Sequence, residues 1–137
     1  MTSPIKLKVQ LFCGEEIAMG PGKADLIEAI RAQGSISAAA RAMGMSYRRA
    51  WLLVDTMNRC WREPLIETVP GAAHAGARVT GLGERVLADY RGLQQRLAAT
   101  EARTRGTLQA ALREAPLSAQ RREGPEPEPG PGVTPSG

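Results

Sequence analysis

Near the N-terminus Ile5, Leu7, Val9 and Leu11 alternate with Lys6, Lys8 and Gln10. This is the two-residue period of a strand with one buried face, and it predicts a strand over 5–12. Residues 14–23 carry three glycines and Pro21. Beyond them the period changes, with Ala24, Leu26, Ile27 and Ile30 at helical spacing up to Gly34. Ser35 then caps a short helix over 36–43, in which Ala38, Ala39, Ala40 and Ala42 favour helix and allow a neighbour to approach closely. Gly44 stops it, Ser46 caps a third helix running to about Trp61, and Pro64 breaks the pattern. Two helices joined by a short turn containing glycine form a helix-turn-helix.

Two short, partly β-branched segments, 65–69 and 77–80, flank a stretch of small residues and predict a two-stranded wing. Thr80 caps a fourth helix with Leu82, Val86, Tyr90, Leu93 and Leu97 at three- and four-residue steps. The far half of that stripe has no evident partner within so small a chain, so these five residues are assigned to a dimer interface. The expected fold is therefore mainly α with a small β wing: a winged helix-turn-helix with a long C-terminal dimerisation helix. The organisation follows as an N-terminal strand and loop (1–21), the winged helix-turn-helix with its dimerisation helix (22–99), a helical extension (100–115) and a Pro/Gly/Glu tail (116–137). The tail has almost no large apolar residue to offset its ordering entropy and is expected to be disordered.

Composition narrows the function. A formal net charge of +4 favours a polyanionic partner, and an aromatic content of only 4% leaves little material for stacking unpaired bases, so duplex is favoured over single strands. Cys13 and Cys60 lie far apart without C-x-x-C spacing, and the lone histidine, His74, has no metal-binding company, so neither a metal nor a cofactor is expected. No Gly-rich phosphate loop, G-x-S-x-G elbow or H-E-x-x-H motif occurs, which argues against an enzyme, and no small-molecule ligand is evident. No apolar run is long enough for a signal peptide or membrane span; a cytoplasmic protein is expected.

Projected at 100° per residue, the third helix places Ala50, Leu53, Val54, Met57 and Trp61 on its core side and Arg48, Leu52, Asp55 and Arg59 opposite. Its first turn carries Tyr47, Arg48 and Arg49. A recognition helix inserts its first turns into the major groove, where an arginine fork pairs with a guanine edge; Arg48 is placed as base reader and Arg49, to the side, as a phosphate contact. The alternative is that both are solvated charges. The hydroxyls of Ser46 and Tyr47 are within range of the backbone, and Ser35 and Ser37 begin the second helix, where backbone N–H groups suit a phosphate, although Ser35 is equally explained as a cap. Arg78 on the wing is placed against phosphate or the minor groove. Trp51 and Tyr47 share a flank that is read as packing, and Met43, Met45 and Met57 are read as core.

The stretch GSISAAARAMGMSYRRAWLLVDTMN, from Gly34 to Asn58, and its continuation EPLIETVPGAAHAGARVTGLGERVLADYR resemble the N-terminal DNA-binding domain of ModE-type molybdate-responsive regulators. The resemblance covers roughly residues 20–92. It implies a LysR-like winged helix that dimerises and reads double-stranded DNA with the helix beginning at Ser46, Tyr47, Arg48 and Arg49. It also implies a role in molybdenum-linked gene control. The chain departs from the family in its wing tip, PGAAHAGA, which is poorer in glycine and lysine, and in having a short helix and tail where β-barrel molybdate domains are expected. A second reading from another class is a protein-interaction module, with the long apolar stripe of the fourth helix as its docking surface.

Overall fold

The computed structural model describes residues 5–70 and 76–119. The expected wing tip with His74, and positions 120–137 of the expected tail, lie outside the described residues. The elements run β1 (Leu11–Cys13), β2 (Glu16–Met19), α1 (Pro21–Gln33), α2 (Ile36–Met43), α3 (Tyr47–Cys60), β3 (Ile66–Val69), β4 (Gly76–Val79) and α4 (Gly81–Ala111). The architecture is helical with a small antiparallel wing and a long last helix, as the patterning predicts.

The helix boundaries follow their punctuation. Pro21 opens α1 in its first turn, where a missing N–H costs nothing. Gly34 closes it at φ 79°, its N–H donating to the Ile30 carbonyl at 2.8 Å. Ser35 Oγ accepts from Ala38 N at 3.0 Å and starts α2. Gly44, at φ 69°, ends α2, and Met45 N donates back to the Ala40 carbonyl at 3.0 Å, the six-to-one bond of a Schellman turn. Ser46 Oγ accepts from Arg49 N at 3.1 Å and starts α3 at once. The turn between the two helices thus has its freed backbone groups bonded locally, which fixes the angle at which α3 leaves α2.

Met19, Leu26, Ile27, Ile30, Met57 and Leu65 are fully buried, joined by Ala39, Ala40, Ala50, Val54, Ile66, Ala77 and Leu87. Ala39 and Ala40 of α2 face inward and let α1 and α3 close on either side, while Ala42 is exposed. The wing pairs Ile66 with Val79, Glu67 with Arg78, Thr68 with Ala77 and Val69 with Gly76. Ala77 N donates to the Gly34 carbonyl at 2.8 Å, anchoring the wing to the α1–α2 turn. Asn58 of α3 clamps β3: its Oδ1 accepts from Leu65 N (2.9 Å) and Ile66 N (3.2 Å), and its Nδ2 donates to the Ile66 carbonyl at 3.0 Å. Two ion-pair groups tie α1 to α4, Arg31 with Glu84 at 2.7 Å and Arg91 with Asp25 and Glu28 at 2.5 and 2.9 Å.

The N-terminus differs from expectation. The strand predicted over 5–12 is replaced by a hairpin in which Leu11–Cys13 pairs with Glu16–Met19. Gly14 occupies the first turn position at φ 60° while Glu15 keeps a negative φ, the II′ pattern that suits hairpin twist. Residues 5–10 form no strand because, among the described residues, no second strand lies beside them. They run along α4 instead, where the Tyr90 hydroxyl donates to the Val9 carbonyl at 2.8 Å, and Ile5, Leu7 and Val9 share a groove with Leu97, Ala98 and Glu101. The hairpin is fixed to α3 by Trp61 Nε1 donating to the Ala18 carbonyl at 3.1 Å.

Candidate nucleic-acid interface

The inner stripe of α3, Ala50, Val54 and Met57, is buried against α1 and α2, with Leu53 packed at its margin. That packing turns the opposite face outward. Tyr47 is 55% exposed, Trp51 46% and Leu52 48%, and Arg48 and Arg49 are exposed beside them. The sequence pattern predicts that the flank of Tyr47 and Trp51 packs. It does not, because the buried stripe already contains the side chains that α1 and α2 can cover, and no described element lies over Trp51. Tyr47, Arg48, Trp51 and Leu52 instead line one open cleft of about 330 Å³.

The guanidinium groups of Arg48 and Arg49 have no hydrogen-bond or ion-pair partner among the described residues. The hydroxyls around them are engaged differently. Those of Ser35 and Ser46 are helix caps, and Ser37 Oγ accepts from Arg41 Nη1 at 3.0 Å. Each retains its own O–H for a further acceptor. Arg78 is 70% exposed in its side chain but donates through Nε and Nη2 to Glu67 Oε2 at 3.1 and 3.0 Å, across the register pair of the wing. An exposed pair of this kind is worth only about 0–1 kcal/mol, so a phosphate competes for Arg78 at little cost.

Lys23, in the first turn of α1, goes unnoticed in the sequence because nothing in its spacing links it to α3. In the fold it lies near enough to Arg49 for the two cations to interact. Partial burial holds its ammonium below the ordinary lysine value, with Cys60 and Glu16 pulling it up and Arg49 adding to the fall. Cys60, at the end of α3, is brought beside Cys13 of the hairpin; burial, followed by its hydrogen bond with Cys13, pushes the Cys60 thiol up. Both cysteines are free.

The residues assigned to a dimer interface fare unequally. Tyr90 is 4% exposed and belongs to the chain's own core, with its hydroxyl donating to the Val9 carbonyl, so it has little surface left for a second copy. Leu82 and Val86 pack partly on the core, Leu93 lines a cleft of about 310 Å³ with Leu11, Met19 and Trp61, and Leu97 faces the N-terminal segment. Among the described residues no group of His, Cys, Asp and Glu is placed to hold a metal ion, and no helix is long and apolar enough to cross a membrane.

No family model matches the chain. Curated relatives do. The chain is 41% identical over 73 residues to the molybdenum-pterin-binding protein MopA of Rhodobacter capsulatus, covering 53% of this chain and 28% of that one. It is 40% identical over 78 residues to the molybdenum transport protein ModE of Azotobacter vinelandii, covering 56% and 29%. Against the DNA-binding transcriptional dual regulator ModE of Escherichia coli K12 it is 33% identical over 92 residues, covering 66% and 33%. The chain carries a ModE-like N-terminal domain. These relatives are named as transport, molybdenum-pterin-binding and regulatory proteins and not as enzymes. The chain spans about a third or less of their length. Among solved structures, the ModE-like chain is similar to full-length LTTR LysG from Corynebacterium glutamicum, with TM-score 0.48 and 23% identity over 66% of this chain and 30% of that one.

Proposed function

We propose that this protein is a cytoplasmic transcription regulator that binds double-stranded DNA in a sequence-specific manner through α3, in the molybdenum-linked gene control that its ModE-named relatives suggest. The observation that carries this reading is the capped, locally bonded turn between α2 and α3, which presents unpaired Arg48 and Arg49 on the first exposed turn of a helix whose opposite face is locked in the core. Arg48 pairs with a guanine edge, and Arg49, with Lys23 beside it, meets phosphate. Ser35, Ser37, Ser46 and Tyr47 add backbone contacts, and Arg78 exchanges Glu67 for a phosphate of the adjoining strand. The protein acts as a homodimer through Leu82, Val86, Leu93 and Leu97 of α4 together with the N-terminal region, so that two α3 helices read an inverted repeat with half-sites about 34 Å apart.

The test is a binding titration of the purified chain against duplex selected from a random pool, at two salt concentrations and with and without molybdate. Arg48→Ala should weaken the selected duplex by roughly 1–3 kcal/mol and relax one base position. Arg49→Ala should weaken all duplexes alike and reduce the slope of log affinity against log salt by about 0.9. Failure of the wild-type chain to enrich any sequence, or identical behaviour of both variants and wild type, refutes the reading.

A further inference from the structure

The exposed face of α3 is not simply basic. Tyr47, Trp51 and Leu52 form a continuous apolar surface around Arg48, and residues 47–54 contain no acidic side chain. The first acid of the helix, Asp55, is bonded to Arg59 at 2.9 Å. Single exposed apolar residues are ordinary, but three contiguous ones on the outward face of a rigid, capped helix mark a contact surface. The adjoining unpaired arginines make a polyanion the complementary occupant. Within a duplex major groove the only apolar group on any base edge is the C5-methyl of thymine.

We infer that the cleft formed by Tyr47, Arg48, Trp51 and Leu52 takes thymine C5-methyl groups, so that Leu52 and Trp51 determine specificity beside Arg48; this rests on the DNA-binding reading above. Leu52 lies four residues beyond Arg48 on the same face, roughly 6 Å along the helix axis, which spans one to two base steps. The aliphatic end of Leu52 therefore sits on a thymine methyl within two base pairs of the guanine that Arg48 pairs with, and the Trp51 ring closes the cleft from the side and excludes water from that methyl.

The experiment is a methyl-deletion scan. A duplex enriched from a random pool is remade with each thymine replaced in turn by deoxyuracil, which differs only in lacking the C5-methyl. The wild-type chain is expected to bind about three- to five-fold more weakly at one thymine per half-site, the loss of one buried methyl. Leu52→Ala should bind the parent duplex more weakly but become indifferent to uracil at that position, with its response elsewhere unchanged. Trp51→Ala should show the same selective loss. Because both side chains are exposed, both variants should keep the wild-type urea midpoint. If no uracil substitution weakens the wild type, or if Leu52→Ala and Trp51→Ala keep the wild-type uracil profile, the methyl reading is overturned while DNA binding stands. If no sequence is enriched at all, DNA binding itself fails and the methyl reading falls with it.

Discussion

Gly83 offers a direct test of how the last helix is seated. It is the third residue of α4, so helix propensity alone favours Gly83→Ala by about 1 kcal/mol. The packing predicts the opposite. A Cβ at Gly83 would lie well inside contact distance of the Leu65 carbonyl oxygen and 2.7 Å from Val79 Cγ1, where real Cβ contacts essentially never fall below 3.0 Å. The closest obstacle is backbone and cannot rotate away. It is also pinned, since Thr80 N donates to Leu65 O at 2.9 Å and Thr80 Oγ1 donates to Pro64 O at 2.8 Å. Relief therefore requires α4 to lift from the base of the wing, at the upper end of the 1–3 kcal/mol typical of overpacking. Subtracting the propensity gain leaves a net loss of about 2 kcal/mol, which for a domain of this size lowers Tm by roughly 8–16 °C. Gly81→Ala is the control: its Cβ would meet only Arg85 Nη1, at 3.6 Å, and its stability should stay within about 0.5 kcal/mol of wild type. Urea and thermal denaturation read both. Equal stability of the two variants would refute the packing argument.

Two further predictions concern the scaffold. Asn58→Ala should cost about 1–3 kcal/mol, because it leaves the Leu65 and Ile66 amides without their side-chain acceptor; Asn58→Asp keeps the acceptors but loses the donor to the Ile66 carbonyl, and urea midpoints should place both below wild type. Burial holds the Tyr90 phenol above its ordinary value of 10.0, so the folded state retains a proton that the unfolded chain releases. The stability this provides is complete below about pH 10 and falls as pH rises through the folded value. The stability difference between wild type and Tyr90→Phe, followed by urea unfolding from pH 8 upward, should therefore be constant at first and then shrink; a difference that does not change with pH would show that the phenol is not buried as described.

The three helices that present the interface were legible because each boundary is written in residue types with a local job. Gly34 and Gly44 take the left-handed conformation, Ser35 and Ser46 cap, and the stripe of Ala50, Val54 and Met57 has a period that leaves one face for the core. The N-terminus departs from its sequence pattern for a physical reason. Alternation at residues 5–11 specifies an extended chain, but a strand exists only where another backbone completes its ladder, and the partner, Glu16–Met19, is short and lacks the alternation that would have announced it. The Gly14–Glu15 turn was the available signal. Tyr90 departs from the expectation for a related reason: the spacing of α4 places it on the apolar stripe, but its hydroxyl bonds to Val9, 81 positions away, and no local pattern encodes that contact.

The distribution of charge supports reading α3 as the working surface. Arginines that join elements are paired: Arg31 and Arg91 hold α1 against α4, and Arg59 reaches both Asp55 and, at 3.8 Å, Glu16 of the hairpin. On the wing, Arg78 is paired across the strands with Glu67. At the start of α3 the chemistry changes. Arg48 and Arg49 have no hydrogen-bond or ion-pair partner among the described residues, Lys23 interacts with Arg49 as well as with Glu16, and the exposed side chains around Arg48 are apolar rather than acidic. Exposed arginines without an internal partner contribute little to the stability of the chain and are available to an anion brought to them. A duplex supplies that anion through its phosphates. It also supplies, in the same groove, the guanine edges and thymine methyls that match the two kinds of side chain found there.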